Sequence, residues 1–121
     1  PQDGPHPDGN PWQQETEIFM QLADSIDFNL AANIHGGTEL VNYPWDTWGQ
    51  LTADNNWWGY VSTEYADSCR ANSNSGYFNS QNNGITNGYD WYEVDGGRQD
   101  YMNFFKCCRE FTLEISDDKV I

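Results

Sequence analysis

The chain has 121 residues, a length that predicts no more than one domain. Nineteen acidic residues against five basic ones give a formal net charge of −14, and because such a field repels phosphate backbones, no nucleic acid partner is expected. The charge favours cationic ligands, but a surface adapted for solubility or high salt explains it equally well. No run of about twenty apolar residues occurs, so no membrane span is expected.

The cysteine content argues against a thiolate zinc site. Cys69, Cys107 and Cys108 contain no CxxC pair. A disulfide from Cys69 to either of the other two would leave one thiol free, and adjacent cysteines are as readily small buried residues. The compartment therefore stays open, with a preference for a location outside the cytosol.

The first third of the chain predicts a loop, a helix and a strand. Residues 1–10 are dense in Pro, Gly and Asp and predict a loop. "NPWQQETEIFMQLADSI" predicts a helix capped by Asn10, with an apolar face toward the core made of Ile18, Phe19, Leu22, Ala23 and Ile26. "DFNLAANIH" is mostly apolar without alternation, which predicts a central strand covered on both faces. A helix that leads into such a strand indicates an α/β fold.

The remaining elements complete a sheet-and-helix core over residues 11–116. "TELVNY" predicts a second strand, and "PWDTWGQLTADN" a loop. "NWWGYVSTEYADSCR" predicts a second helix with one stripe formed by Trp58, Val61, Tyr65 and Cys69. Residues 71–88 are rich in Asn, Ser and Gly and predict a long loop. Within the domain as a whole, this loop is expected near residues 71–90.

The last third predicts a helix and a strand. "GGRQDYMNFFKCC" predicts a third helix, and "REFTLEIS" a closing strand in which Phe111, Leu113 and Ile115 alternate with polar residues.

Two side chains stand out as candidates for chemistry. His35 follows an apolar strand and precedes two glycines, and ligands of open α/β sheets gather outside the carboxyl ends of strands. It could hold zinc or simply hydrogen-bond a loop. Glu114 points away from the apolar side of its strand. If both faces of the sheet are covered, Glu114 is a buried carboxylate and a candidate general base; if not, it is an ordinary surface residue.

Tyr92, Asp46 and Gln99 are weaker candidates when each is considered alone. Tyr92 lies next to a predicted flexible loop, where packing is its simplest role. Surface positions are the default for Asp46 and Gln99.

Three segments together resemble the zinc metallocarboxypeptidases, in the N/E-type branch that includes carboxypeptidases D, E, M and N. "NIHGGTELVNYPWD" is similar to the segment around that family's third zinc ligand. "NNGITNGYDWYEVDGGRQDYMNF" is similar to the loop that carries its mobile substrate tyrosine, and "CREFTLEIS" to the strand that carries its catalytic glutamate. The resemblance implies a mixed, mostly parallel central sheet flanked by helices, present here only in part.

The resemblance also implies a role for each candidate. His35 would be a ligand of one Zn²⁺ ion, and Glu114 the general base of peptide hydrolysis. Tyr92 would close over the C-terminal residue of the substrate. Asp46 and Gln99 would line its side-chain pocket and select C-terminal Arg or Lys. Peptide or protein C-termini are therefore the expected partners, and a secreted, periplasmic or cell-surface location is the one that the family implies.

Two of the family's motifs do not occur in the sequence. These are the His-x-x-Glu motif that supplies two zinc ligands and the Asn-Arg pair that binds the substrate carboxylate. The sequence also begins with Pro1 rather than Met. We therefore expect the C-terminal half of a catalytic domain, inactive on its own, with the missing N-terminal half as a candidate partner. The alternative is a non-catalytic extracellular module that binds peptide or sugar on an aromatic surface formed by Trp45, Trp48, Trp57 and Trp58.

Overall fold

The structure is a computed structural model and describes residues 6–119. Within this range the elements follow in the order α1 (Gln14–Ser25), β1 (Leu30–His35), β2 (Thr38–Tyr43), α2 (Asn55–Asn72), α3 (Gln81–Gly84), β3 (Ile85–Asn87), α4 (Gly88–Trp91), α5 (Arg98–Phe105) and β4 (Arg109–Ser116).

The strands form one mixed sheet in the order β1-β4-β2-β3. β1 runs parallel to β4, and β2 runs parallel to β3, whereas β2 and β4 are antiparallel. Two of the three strand pairs are therefore parallel, which confirms the predicted mixed, mostly parallel sheet. β4 is the last strand in the sequence but lies between β1 and β2, so it has a hydrogen-bonded partner strand at each edge.

Helices cover both faces of the sheet, as predicted. On one face α2 packs against β2 and β4 through the apolar cluster of Val41, Trp58, Ala66, Phe78 and Phe111. A second cluster lies on the opposite face, where it packs against the side chain of Ala31 in β1. Its members are Ala23, Tyr101, Met102 and Cys108. Because side chains alternate along a strand, the even-numbered residues of β4 face this second cluster.

The first helix differs from its prediction at both its start and its apolar face. α1 begins at Gln14, and Asn10 does not cap it; Asn10 Nδ2 instead donates to Asp8 Oδ2 at 2.9 Å. Ala23 is buried and Phe19 is half-buried, but three other residues of the predicted face are exposed, namely Ile18, Leu22 and Ile26. The helical spacing identified the helix correctly, but much of its apolar stripe has no cover within the described residues.

The strand predicted to be central lies at the sheet edge. β1 pairs only with β4 among residues 6–119, and Leu30 and Ile34 keep 63% and 61% of their surface exposed. The composition of β1 is that of a strand covered on both faces, whereas the described chain covers only part of it. The central position belongs instead to β4.

The long loop predicted over residues 71–88 is ordered into short elements. α3, β3 and the start of α4 lie between residues 81 and 88. Asn82 and Asn83 adopt left-handed backbone angles, with φ of 50° and 59°, a conformation that asparagine tolerates better than most residues. The polar Asn and Gly composition masked β3, which has only three residues.

Two further observations concern the bulk properties. All three cysteines are free; Cys107 is exposed and Cys108 is buried. Among the described residues no helix combines the length and apolar character needed to cross a membrane.

Candidate functional site

His35 and Glu114 are direct neighbours across two strands. His35 ends β1, Glu114 lies near the end of β4, and the two residues are partners in the parallel register. Side chains at paired positions lie on the same face of a sheet, so the imidazole and the carboxylate share the face that α5 covers. Their juxtaposition depends on folding, because 79 residues separate them in the sequence.

Glu114 is a buried carboxylate with an oxygen left free. It is only 7% exposed, and its Oε2 atom has no hydrogen-bond partner among the described residues. Burial raises the pKa of Glu114, while His35 and Lys119 act to lower it. Burying a carboxylate without a full set of hydrogen-bond partners destabilises the fold. Such a carboxylate is therefore a candidate for binding or catalysis rather than for structural support.

Tyr92 lines an open pocket together with this pair. The pocket has a volume of about 680 Å³, and its walls include His35, Trp91, Tyr92, Glu114 and Lys119. Tyr92 follows α4 and is 53% exposed. Burial raises the pKa of the Tyr92 phenol, and the charges of Glu114 and Asp46 raise it further, so the phenol lies within electrostatic reach of both carboxylates.

Asp46 lies beside an earlier part of β4 than Glu114 does. Its Oδ1 atom accepts hydrogen bonds from Asn42 Nδ2 at 3.0 Å and from Gln99 Nε2 at 3.1 Å. Asn42 pairs with Thr112 on β4, one strand repeat before Glu114. Asp46 and Gln99 therefore meet each other, as a shared pocket requires, but they do not line the open pocket beneath Tyr92.

The surroundings of Asp46 are rich in acceptors, and no Lys or Arg among residues 6–119 forms an ion pair with it. Asp46 is 6% exposed, and burial raises its pKa to about 6, with the Asn42 hydrogen bond opposing the rise and the charge of Asp100 adding to it. Asn42 Oδ1 and Gln99 Oε1 are buried without a partner among the described residues. Asp46 Oδ2 likewise accepts no hydrogen bond within that part of the chain. A ligand with several N–H donors would satisfy all three atoms.

Asp100 fixes the backbone that carries Asp46, a role that the sequence did not reveal. Its carboxylate accepts the Asp46 N–H at 3.0 and 3.2 Å and the Thr47 N–H at 2.9 Å. It is fully buried in the first turn of α5. Asn42 was also missed. The one available signal for it was a polar residue between the apolar pair Leu40–Val41 and Tyr43 in β2.

Gly88 leaves the space that Asp46 occupies. A Cβ atom at Gly88 would collide with Asp46 Oδ1 and would lie 2.9 Å from Asn42 Oδ1. The close approach of this backbone to two buried polar side chains explains why glycine starts α4.

α5 carries Gln99 and is tied firmly to β4. Arg98 Nε lies 3.0 Å from Glu110 Oε1, and Asn103 Nδ2 donates to the Glu110 carbonyl oxygen at 2.9 Å. Burial raises the pKa of Glu110, and Arg98 opposes the rise. These contacts hold Gln99 at the level of Asp46.

The residues present fit part of a zinc site, namely one imidazole ligand with a carboxylate beside it. Within residues 6–119 no group of three His, Cys, Asp or Glu side chains could hold a metal ion. His35 offers one imidazole at the wall of the pocket, and Glu114 Oε2 is an unpartnered acceptor beside it. Catalytic zinc sites typically have three protein ligands, and these residues would supply only part of such a set.

The aromatic residues do not form the four-membered surface of the alternative hypothesis. Trp58 is 2% exposed, and Trp57 packs against the α2 cluster. Trp45 and Trp48 contact each other and Phe104 beside a larger cavity of about 1010 Å³ at the opposite end of β4. None of the five candidate site residues lines that cavity.

Comparisons with known proteins agree on one family. A family model described as zinc carboxypeptidase matches residues 1–121. The chain is 38% identical over 122 residues to Carboxypeptidase M of Mus musculus, a match that covers 86% of the chain and 26% of the relative. It is 36% identical over 113 residues to Carboxypeptidase SOL1 of Arabidopsis thaliana, covering 88% of the chain and 22% of the relative.

A third relative extends the comparison to a longer protein. The chain is 35% identical over 115 residues to Carboxypeptidase D of Drosophila melanogaster, covering 86% of the chain and 8% of the relative. The chain thus spans about a quarter or less of the length of these three relatives.

Proposed function

The chain belongs to the zinc carboxypeptidase family, and we propose that it contributes to a peptidase that removes the C-terminal residue from peptides or proteins. The observation that carries the proposal is the register pair of His35 and Glu114, with Tyr92 on the wall of the same pocket. Folding brings together an imidazole, a buried carboxylate with a free oxygen, and a phenol, and each has a part in hydrolysis.

In this proposal His35 supplies one ligand of a single zinc ion, and the other ligands come from residues outside the described part of the chain. When bound, zinc polarises the scissile carbonyl and makes water more acidic.

Glu114 transfers the proton. Its free Oε2 atom accepts a proton from the attacking water as the new C–O bond forms. The same carboxyl then delivers the proton to the amide nitrogen as the C–N bond breaks, which releases the C-terminal residue as an amine. The raised pKa of Glu114 suits both steps, because a carboxyl with a pKa nearer to 7 accepts and returns a proton more readily. Tyr92 would hold the leaving residue from above.

Asp46 and Gln99 would select a C-terminal Arg or Lys. Three acceptor atoms without donors, Asp46 Oδ2, Asn42 Oδ1 and Gln99 Oε1, match the donor-rich end of a cationic side chain. An apolar side chain beside them would leave the two buried oxygens, Asn42 Oδ1 and Gln99 Oε1, without donors, which is strongly unfavourable.

The exposed edge of β1 supports a further part of the proposal. Leu30 and Ile34 are largely exposed, and β1 has only one partner strand in residues 6–119. Unpaired edges with apolar side chains favour pairing with further strands. We therefore propose that additional chain, equivalent to the first half of the domain, completes the sheet and the zinc site. The 121-residue chain alone should then bind zinc weakly and show no turnover. Membership of the family is the ground on which we propose a secreted, periplasmic or cell-surface location.

The proposal is tested by assaying the full-length gene product with peptides that end in Arg, Lys or Ala. We expect chelator-sensitive release of Arg and Lys and little release of Ala. Glu114→Gln should lower kcat by about 10²- to 10⁴-fold, because the proton acceptor is lost.

The matched control is Glu64→Gln, which removes an exposed carboxylate from α2 and should leave activity unchanged. Full activity of the Glu114→Gln variant, or hydrolysis that survives chelation, would contradict the proposal. Robust hydrolysis by the 121-residue chain alone would contradict the need for further chain.

A further inference from the structure

Lys119 differs from the other basic residues of the chain. Lysine and arginine together number five. Each of the other four lies within 4 Å of a carboxylate, in the pairs Arg70–Asp67, Arg98–Glu110, Lys106–Asp24 and Arg109–Asp54. Lys119 makes no ion pair with any residue of the 6–119 range. In a chain with 19 acidic residues, an unpaired ammonium group is an exception.

The side chain of Lys119 lines the open pocket. It shares the pocket wall with His35, Tyr92 and Glu114. The backbone leading to it is held in place: Gly37 N–H donates to the Ser116 carbonyl at 2.7 Å, and Asp118 N–H donates to Ser116 Oγ at 3.0 Å. These contacts fasten the chain after β4 to the turn after β1.

The two glycines of that turn make room for this segment. A Cβ atom at Gly36 would collide with the Asp118 carbonyl, and one at Gly37 would lie 3.3 Å from Lys119 Cε. The methylene groups of Lys119 therefore lie against the Gly37 backbone, and the ammonium group is carried on a supported stem. The glycine pair thus has a use beyond access to His35.

Lys119 and Asp46 lie on opposite sides of Glu114 along β4. Asp46 is held by Asn42 at the level of Thr112, before Glu114 in the strand. Lys119 follows the end of the strand at Ser116. If the side chain of the leaving residue points toward Asp46, the peptide on the other side of the scissile bond passes toward Lys119.

We propose that Lys119 is a specificity-determining residue that binds an acidic side chain, Asp or Glu, on the substrate just upstream of the scissile bond. This inference rests on the proposed function and extends it to a second charge on the substrate. The overall charge of −14 repels acidic peptides, so a local cation in the pocket is what would admit them. The preferred substrate then ends in an acidic residue followed by a basic one.

The test compares two peptides that differ only in the penultimate residue, one ending in Glu-Arg and one in Gln-Arg. The full-length gene product should have a kcat/KM about two- to fivefold higher for the Glu-Arg peptide, as expected for one partly exposed ion pair. The preference should diminish as salt is added, because salt screens such pairs.

Three variants distinguish recognition from an indirect effect on Glu114. Lys119→Met should remove the preference, Lys119→Arg should retain it, and Lys119→Glu should reverse it. If Lys119 acts only through the charge of Glu114, its substitution would change kcat/KM for the two peptides by the same factor. That result would overturn the inference.

The two proposals fail in different ways. Equal cleavage of both peptides by the parent protein overturns the inference and leaves the proposed function standing. Cleavage of neither peptide overturns the proposed function, and the inference falls with it.

Discussion

The two ends of the site differ in how completely the chain builds them. Around Asp46, the elements α5, α4 and β2 supply Gln99, Gly88 and Asn42, and Asp100 fixes the backbone. Around His35 the sheet ends, the neighbouring apolar residues are exposed, and Glu114 keeps a free oxygen. The proposed specificity site is thus held largely by residues of this chain, whereas the proposed catalytic centre needs groups from elsewhere.

This difference shows that an unsatisfied group in such a chain can belong either to a ligand site or to a surface that further chain would cover. Side chains held by buried hydrogen bonds, as Asp46 and Gln99 are, are already in place before a ligand binds. A strand edge with exposed Leu30 and Ile34 is a surface that is still to be covered. Substitutions at the two ends should therefore give different patterns of effect on stability and activity.

The largest effect that separates the two ends concerns the charge of Asp46. Its folded pKa of about 6 lies above the ordinary value of 3.8, so the folded protein keeps a proton that the unfolded chain has lost between these values. The stabilising contribution is present below about pH 4 and is lost as pH rises through 6, by up to about 3 kcal/mol. Urea unfolding followed from pH 4 to 7 measures this decline, and Asp46→Asn should flatten it.

Under the proposed function, the same titration should govern substrate binding. A cationic side chain needs the ionised carboxylate, so KM for an Arg-ending peptide should rise as pH falls through about 6. KM for an Ala-ending peptide should change much less over that range. Parallel changes in the two values would contradict the assignment of Asp46 as the partner of the cation.

A smaller effect is expected at Gly88. Gly88→Ala introduces a Cβ atom that collides with Asp46 Oδ1, so it should destabilise the fold by about 1–3 kcal/mol and raise KM for Arg-ending peptides. Gly59→Ala is the matched control, since a Cβ at that position of α2 meets nothing within 4 Å. The control should gain about 0.5–1 kcal/mol through helix propensity. Equal effects at the two glycines would refute a preformed pocket.

The smallest effect is expected at the open edge in the 121-residue chain. Ile34→Ala should change its free energy of unfolding by less than about 0.5 kcal/mol, because the side chain is largely exposed. In the full-length gene product the same change should cost about 2–4 kcal/mol if further strands cover β1. Val41→Ala removes a buried side chain and should destabilise both proteins. A negligible cost of Ile34→Ala in both would argue against such cover.

Much of the fold could be predicted because its patterns are local. β2, α2 and β4 follow their sequence patterns closely, and the mixed sheet agrees with the resemblance. The errors arose where local pattern and tertiary context diverge. β1 has the composition of a central strand but lies at an edge, and β3 was hidden in a polar segment whose turn depends on left-handed Asn82 and Asn83.

The site was predictable where a residue type has a distinctive use and was missed where it acts through distant backbone. His35 and Glu114 were identified as candidates, and the register brings them together. Asp100 was not identified, because its partners Asp46 and Thr47 are more than fifty residues away in the sequence. An acidic residue in the first turn of a helix is usually explained by the helix dipole alone.

The most direct measurement is anomalous diffraction at the zinc absorption edge from crystals of the full-length gene product. The account predicts one zinc peak about 2.0–2.1 Å from a ring nitrogen of His35, with the Glu114 carboxylate facing the ion. A peak elsewhere, no peak in zinc-saturated crystals, or a Glu114 side chain that points away from His35 would contradict it.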